Sequence, residues 1–424
     1  MPSLDLYLHD RYVGTVTPDM RNHARVRLDV DRDYQPEVLL SDSFVALPGR
    51  RPPASAVSNF LGGYMPEGHH RERMAAKRSI NKDNLFALLS EFGGSVAGAV
   101  TLRHPSDEPS RPTYEPLTSQ AIATKLRQAL QDSNQGLAHD SRSTLPGYQP
   151  KVLVARLDGE WVYPHGRAHS THLLKPQVPS RPSRIFDEYY SHLLTRQIGL
   201  SSFDSAIHRA GSITYLAIER FDRMLVGGQV RLLHQEDLAQ ALGLNWLDTD
   251  VKFQEPSWPD DPKRATNRRI GELLGSVPRG NAVLERWIRQ LTYHLAIGNN
   301  DAHAKNTALL HLPSGTELSP VYDAVPNLFQ QGLIKWDLAL SIDGEFDHRR
   351  LSVERLLSEI KSWSVLPELA AEAAIQDTLT GLDQAITAIT PPQGVSPGMV
   401  EQLRWNVDRL LAGNEIGQWN NPGS

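Results

Sequence analysis

Three residues of types that bind magnesium or move protons lie close together in the second half of the sequence. Asp301 is followed five positions later by Asn306, and Asp323 comes soon afterwards. In phosphotransferase catalytic loops, an aspartate at this spacing positions the acceptor hydroxyl, and the asparagine holds a magnesium ion on the nucleotide phosphates. Each residue alone could be an ordinary turn or strand-end residue. Their joint spacing instead predicts a catalytic loop, with Asp323 as a further metal ligand.

A loop and a lysine upstream could bind the phosphates of a nucleotide. The segment Pro146-Gly147-Tyr148-Gln149-Pro150-Lys151 precedes a predicted strand. Backbone N–H groups of a tight, glycine-containing turn can point at phosphate oxygens, although an ordinary loop is the other interpretation. Lys175 ends an apolar predicted strand and is expected to pair with the phosphates, with Glu188 on the next helix as its candidate partner. A solvent-facing lysine at a strand end is the alternative.

The segment Ile218-Glu219-Arg220-Phe221-Asp222-Arg223 ends another predicted strand. A connecting strand at this place would expose backbone groups to the edge of an adenine ring, and Phe221 could pack against that ring. The alternative is a charged strand end in which Arg220 or Arg223 forms an internal ion pair with an acid. The two interpretations are compatible, and the sequence leaves both open.

The composition bounds the class of protein. The chain has 424 residues, of which 40% are hydrophobic and 22% charged, as expected of a globular protein large enough for more than one core. The formal net charge of -5 argues against a protein that coats nucleic acid by itself. There is no cysteine, which excludes disulfides and thiolate catalysis. We see no signal peptide and no apolar stretch of membrane-spanning length, so a cytoplasmic location and no membrane partner are expected.

The order of predicted elements is that of a protein-kinase-like fold. Strands dominate before residue 222, and a helical period dominates from Gln235 onward, ending in an apolar helical stripe from Leu284 to Leu295 that leads into Asp301. Residues 103–117 are predicted to be a linker, and a further strand is predicted over 318–322. The prediction is an α+β, two-lobed fold made of a small N-terminal subdomain (1–105), a β-rich lobe (106–222) and a helical lobe (223–424).

Several segments, in the same order, resemble the HipA family of bacterial serine/threonine kinase toxins from HipBA toxin–antitoxin systems. The resemblance covers roughly residues 140–330, and the first hundred residues resemble the family's N-terminal domain more loosely. The matching segments are Pro146–Lys151, Thr171–Lys175, Glu188–Tyr190, Glu219–Arg223, Gln235–Asp237, Asp301–Asn306 and Tyr322–Asp323.

The resemblance implies an ATP- and Mg²⁺-dependent protein kinase. It implies that Asp301 is the catalytic base or the residue that orients the acceptor, that Lys175 and His303 assist, and that Asn306 and Asp323 bind magnesium. It also implies a set of residues around ATP, from the phosphate loop, the adenine side and the catalytic loop: Pro146, Gly147, Tyr148, Gln149, Pro150, Lys151, Lys175, Glu219, Arg220, Phe221, His303, Ala304, Lys305, Asn306, Tyr322 and Asp323.

Partners are also implied by the resemblance. Family members phosphorylate aminoacyl-tRNA synthetases, which inhibits translation and causes growth arrest or persistence, and a HipB-like helix-turn-helix antitoxin holds them and binds operator DNA. Arg349-Arg350, after His348, forms a small basic patch that could touch DNA, although a solvated charged turn is the other interpretation. Two rival functions stay open: a small-molecule kinase of related fold, and a catalytically idle co-repressor.

One position of the phosphate loop departs from the family. The best-known member carries a serine three positions before the loop glycine, and phosphorylation of that serine ejects the loop. Thr144 stands there in this chain, with Ser143 beside it, and Pro146 and Pro150 should stiffen the loop. We expect any loop phosphate to be on Ser143 or Thr144.

Overall fold

The structure is a computed structural model that describes residues 2–107, 111–132, 149–330 and 335–419. The chain forms two compact units. Unit 1 contains Met1–Pro176, His208–Thr249 and Leu309–Gly315, and unit 2 contains Gln177–Ile207, Asp250–Ala308 and Thr316–Ser424. Among the described residues, no helix is both long enough and apolar enough to cross a membrane.

The first part of the chain, up to residue 176, contributes most of unit 1. Its elements are β1 (Leu4–Leu8), β2 (Arg11–Pro18), β3 (Val26–Val30), α1 (Ala54–Gly63), α2 (Gly68–Lys77), α3 (Leu85–Phe92), β4 (Val100–Arg103), β5 (Thr113–Pro116), α4 (Ser119–Asp132), β6 (Val152–Leu157), β7 (Glu160–His165) and β8 (His172–Pro176).

The middle of the chain alternates between the units. Its elements are α5 (Arg184–Gln197), β9 (Ser205–Ala210), β10 (Ile213–Glu219), β11 (Arg223–Val226), β12 (Gln229–Leu232), β13 (His234–Asp237), α6 (Leu238–Ala241), α7 (Asn267–Ser276), α8 (Gly280–Ala296), β14 (Ala308–Leu312) and β15 (Gly315–Leu318). The last part belongs to unit 2 and forms β16 (Asp337–Ile342), β17 (Glu345–Asp347), α9 (Val353–Ser362), α10 (Glu368–Ala388) and α11 (Met399–Leu411), with 3₁₀ turns at Asn327–Phe329 and His348–Arg350.

The two largest sheets of unit 1 are each covered by helices. The sheet β3-β2-β1-β4 alternates buried and exposed side chains, and α1 and α3 pack on its apolar face. The second sheet has the order β5-β7-β6-β8-β10-β9, and α4 covers it with Ile122 and Leu126. Strands β6 and β7 form an antiparallel hairpin. Asp158 and Gly159 both have positive φ (49° and 86°), as a two-residue turn of this kind requires.

Unit 2 is mainly helical and is built around α8. The predicted stripe of this helix is buried, and α7, α10 and α11 pack against it. The stripe therefore fixes the axis along which the chain arrives at Asp301.

Three local predictions were wrong. The predicted linker 103–117 contains β5, which pairs with β7 from Thr113↔His165 to Pro116↔Val162. Pro116 is tolerated within β5 because β5 is an edge strand, which has unpaired backbone groups on one side. The strand expected over 318–322 ends at Leu318, and the helical region expected from Gln235 begins only after β13.

Candidate functional site

The catalytic loop predicted from the Asp–Asn spacing is held in place by a buried asparagine at the end of α8. Asn299 is 2% exposed, and its side chain accepts a hydrogen bond from the backbone N–H of Asp301 (3.2 Å). Asn299 also contacts the ring of His294 (3.0 Å) and accepts a hydrogen bond from Asn327 (3.2 Å). A turn whose side-chain and backbone groups are satisfied in this way is rigid, so Asp301 has a fixed position.

The loop closes on itself through Asn306. The Asn306 amide nitrogen donates to the carbonyl oxygen of Asp301 (2.8 Å), and the backbone N–H of His303 donates to the same oxygen (2.9 Å). An amide that donates through its nitrogen keeps its oxygen as an acceptor or metal ligand. The five-residue spacing seen in the sequence is thus the length of a closed turn that carries a carboxylate at one end and an amide at the other.

Asp323 lies close enough to Asp301 to change its electrostatics. Loss of hydration and the negative charge of Asp323 raise the pKa of Asp301 to about 6, while the charges of Lys252 and Arg184 oppose that rise. Asp301 is exposed at the surface of unit 2. We therefore give more weight to the charge of Asp323 than to burial as the cause of the raised pKa of Asp301. Two carboxylates that repel each other in this way favour a bound cation between them.

The backbone around Asp323 supports that placement. Asp323 has φ 52°, in the left-handed region that Asp adopts more readily than most residues. The hydroxyl of Tyr322 donates to the carbonyl oxygen of Lys305 (3.0 Å), which joins the segment carrying Asp323 to the catalytic loop. The structure therefore brings Asp301, Asn306 and Asp323 together within unit 2.

Lys252 and Arg184 lie close enough to Asp301 for their charges to act on it, and the sequence did not reveal either residue. The backbone N–H of Ala304, in the catalytic loop, donates to the carbonyl oxygen of Lys252 (3.3 Å). The ring of Phe253 meets the ring of His303 edge to face at 5.0 Å, and the ammonium of Lys252 lies 5.3 Å from the centre of the Phe253 ring. Lys252 is far from the loop in sequence, and only the fold brings it there, so no local spacing could have indicated it.

The residues predicted to bind phosphates and adenine that the structure describes lie in unit 1. Lys175 is 4% exposed on β8 and pairs in register with Leu216 of β10. Lys151, immediately before β6, is also buried, and its charge helps burial to lower the pKa of His70 to about 4. Gln149 and Pro150 are half-buried. Pro146, Gly147 and Tyr148, like Ser143 and Thr144, lie outside the described residues.

The strand end at 218–223 contains the internal ion pairs that were one of its two interpretations. The carboxylate of Asp222 accepts hydrogen bonds from Arg220 (2.8 and 3.0 Å) and Arg223 (2.8 Å), and all three side chains are buried. Arg220 also donates to the hydroxyl of Ser170 (3.0 Å). Nucleotide contacts of Glu219, Arg220 and Phe221 stay a prediction, and Arg220 has this structural role in any case.

Glu188, the candidate partner of Lys175, and the basic patch Arg349-Arg350 both have other partners in unit 2. Glu188 is fully buried on α5, with a carboxylate oxygen 3.8 Å from Nε2 of His192. Its pairing with Lys175 stays a prediction. The guanidinium of Arg349 pairs with Asp347 (2.6 Å), and that of Arg350 lies 3.7 Å from Glu345, so both charges of the basic patch have acidic partners, as in a charged turn.

Comparison with known proteins identifies the family. The HipA N-terminal domain family matches residues 4–103, and the HipA-like C-terminal domain family matches residues 143–386. The chain belongs to the HipA family. The predicted resemblance is thereby confirmed over both parts of the chain.

Relatives of this HipA-family chain include proteins named as kinases. A putative kinase of Sinorhizobium fredii is 30% identical over 336 residues, which cover 76% of each chain. The serine/threonine-protein kinase toxin HipA of Shewanella oneidensis is 24% identical over 357 residues, which cover 81% of this chain and 79% of that protein.

The same Shewanella toxin–antitoxin system has been solved as HipA with HipB and its operator DNA. It matches this chain with a TM-score of 0.79 at 21% identity and covers 96% of both chains. At that identity the likeness concerns the fold. The predicted α+β kinase-like fold is confirmed as that of HipA.

Proposed function

We propose that the chain is an ATP- and magnesium-dependent serine/threonine protein kinase and the toxin of a HipBA-type toxin–antitoxin system. The observation that carries this proposal is the arrangement in unit 2, where Asn306 closes the turn that begins at Asp301 and the charge of Asp323 acts on the Asp301 carboxylate. The names of the relatives, putative kinase and serine/threonine-protein kinase toxin, support the same reaction. The oxygen ligands of Asn306 and Asp323 suit Mg²⁺, which prefers carboxylate and carbonyl oxygens.

The proposed roles follow from the chemistry of each group. Magnesium, when bound, would neutralise the charge that develops on the transferred phosphoryl group. Asp301, held by Asn299, would orient the acceptor hydroxyl and take its proton, for which a pKa of about 6 is suitable near neutral pH. Lys252 would add a fixed positive charge beside Asp301, at the place where phosphoryl oxygens must lie.

The remaining site residues are proposed on the family resemblance. Lys175 would hold the α and β phosphates, and residues 146–151 would cover them. His303 and Tyr322 would line the nucleotide pocket together with Ala304 and Lys305. Glu219, Arg220 and Phe221 would lie along the adenine ring.

The substrate and partners are proposed from the family. The acceptor would be an aminoacyl-tRNA synthetase in the cytoplasm, so that phosphorylation inhibits translation and arrests growth. A HipB-like helix-turn-helix antitoxin would bind the chain and join it to operator DNA. The solved complex of the Shewanella relative with HipB and operator DNA supports this proposal. A gel shift with the antitoxin and operator, with and without the chain, tests the second point.

The kinase proposal is tested by transfer of labelled γ-phosphate from ATP to proteins of a cell lysate. Asp301→Asn and Asp323→Asn should each abolish labelling while circular dichroism stays unchanged. Asp377→Asn, on the exposed face of α10, is the matched control and should label like the native chain. Labelling that persists in Asp301→Asn contradicts the mechanism, and a labelled metabolite without labelled protein supports the small-molecule kinase instead.

A further inference from the structure

A second cluster of side chains that can bind a metal lies in unit 1, and it contains none of the residues proposed for phosphoryl transfer. Asp42 follows β3, Glu236 is in β13, and His311 is in the neighbouring strand β14. One potential ligand atom from each of the three side chains lies within 4.8 Å of the others. Nε2 of His311 is 2.9 Å from Oε1 of Glu236 and 3.7 Å from Oδ2 of Asp42.

This cluster is buried, which distinguishes it from an ordinary group of surface acids. The side chains of Glu236 and His311 are 0% and 1% exposed, and that of Asp42 is 13% exposed. Within the described part of the chain, Oδ2 of Asp42 is a buried oxygen that accepts no hydrogen bond. The 3.7 Å contact with Nε2 of His311 is longer than a hydrogen bond. Because a buried carboxylate oxygen without a hydrogen bond is costly, a bound cation would stabilise that atom.

The charges of the cluster favour a cation as well. The carboxyl groups of Asp42 and Glu236 lie beside the single imidazole of His311 in a largely buried region, and they repel each other when both are ionised. A divalent cation would relieve this repulsion, because it interacts favourably with both acids at once.

We propose that Asp42, Glu236 and His311 form a binding site for a divalent transition metal, with zinc the best match. One imidazole nitrogen and two carboxylate oxygens are ligands that zinc accepts, whereas an all-oxygen set would favour magnesium or calcium. Three protein ligands leave one tetrahedral position for water, and the partly exposed Asp42 provides the way in. In the metal-bound form the lone pair of His311 Nε2 faces the ion and its proton is on Nδ1.

The surroundings of the cluster already hold one ligand in a suitable orientation. Ser41 Oγ donates to Oε2 of Glu236 (2.7 Å), and the backbone N–H of Asp42 donates to Oε1 (2.7 Å). Partners of this kind fix the direction of a ligating carboxylate. The neighbouring His234, with its ring 5.4 Å from that of His311, contacts the carbonyl oxygen of Leu40 (2.8 Å), which holds that ring beside the cluster.

The bound metal would join residues 41–42 to β13 and β14. These three segments are distant in sequence, so a shared ion would stabilise the folded form of unit 1. The proposal concerns stability and does not depend on the kinase reaction.

The test uses the full-length, tag-free chain in excess magnesium, which occupies oxygen-only sites. Zinc binding is measured by competition with a chelator, and Co²⁺ is used as a coloured probe of tetrahedral nitrogen–oxygen ligation. The native chain should bind one equivalent of zinc and raise its thermal midpoint. Asp42→Asn and His311→Gln should each weaken zinc binding at least about tenfold and remove the Co²⁺ absorption band.

Matched controls separate this site from other acids and imidazoles. Asp158→Asn and His23→Gln replace exposed residues of the same unit and should bind zinc like the native chain. Anomalous diffraction at the zinc edge from the native protein needs no variant and should show density between the three side chains. Absence of a stoichiometric ion there, or native affinity in both Asp42→Asn and His311→Gln, overturns the proposal and leaves a hydrogen-bonded network only.

Discussion

The most demanding stability prediction concerns the buried carboxylate of Asp222. It accepts hydrogen bonds from the backbone N–H of Gly98 (2.8 Å) and the side chain of Gln235 (3.0 Å), besides those from Arg220 and Arg223. Asp222→Ala would leave two guanidinium groups buried without a counter-charge. Breaking a buried ion pair from one side typically costs about 3–5 kcal/mol. That is a large part of the roughly 5–15 kcal/mol by which proteins are stable.

The pH dependence of this effect follows from the sign of the pKa shift. Burial alone would raise the pKa of Asp222, but the charges of Arg220 and Arg223 bring it well below its ordinary value. A carboxyl with a lowered folded-state pKa stabilises the protein above its unfolded-state pKa of about 4, and that contribution is lost as the pH falls through the folded-state value. The difference between Asp222→Ala and the native chain should therefore be constant from pH 5 to 8 and shrink in stronger acid.

The assay is hydrogen exchange read by mass spectrometry, combined with urea denaturation. Exchange is preferred because a chain of two units need not unfold in one step. Peptides that contain Gly98 and the end of β10 should lose protection in Asp222→Ala. Glu37→Ala, which breaks the exposed pair with Arg11 (side chains 57% and 55% exposed), is the control and should cost about 1 kcal/mol or less. Equal effects of the two variants would refute the reasoning.

Three further outcomes are expected. Lys252→Met should lower kcat about 100-fold with a smaller change in KM for ATP, and Lys252→Arg should recover part of that loss. Unchanged steady-state rates in Lys252→Met would show that the lysine is only structural. Asp301→Asn should raise the thermal midpoint at pH 7 without magnesium. The reason is that an ionised Asp301 is repelled by Asp323, and its raised pKa makes the charged form unfavourable above about pH 6. The gain should disappear at pH 4, and scanning calorimetry at both pH values measures it. Gly62→Ala should destabilise unit 1 by about 1–3 kcal/mol, since the added carbon would lie 2.3 Å from the Trp246 ring. A tryptophan fluorescence spectrum and a thermal midpoint equal to those of the native chain would contradict the predicted clash.

The closed turn from Asp301 to Asn306 could be predicted from the sequence because its contacts are local. Asp301 and Asn306 belong to one closed turn, so their spacing along the chain is also their spacing in space. The apolar stripe of α8 was visible for the same reason, as a period of one helix. Asp323 was within reach of the prediction because only a short segment separates it from the loop.

Other features depend on tertiary contacts that no local pattern encodes. Lys252 reaches the loop through a backbone hydrogen bond to Ala304, and Glu236 meets His311 because β13 and β14 lie side by side. The edge strand β5 was mistaken for a linker because an edge strand tolerates prolines that an inner strand does not. The ion pairs of Arg220 and Arg223 were one of two interpretations of the sequence, and the structure shows that both residues pair with Asp222.

The path of the chain between the units limits how this protein can be divided. Unit 1 is completed by residues 309–315, which come directly after the catalytic loop, and unit 2 begins already at Gln177. A fragment that stops before residue 309 thus lacks a strand of the first unit, and one that starts after residue 176 lacks most of it. No single cut separates the two units, because any fragment that contains all of one unit also contains segments of the other, so neither unit should be obtainable alone by truncation.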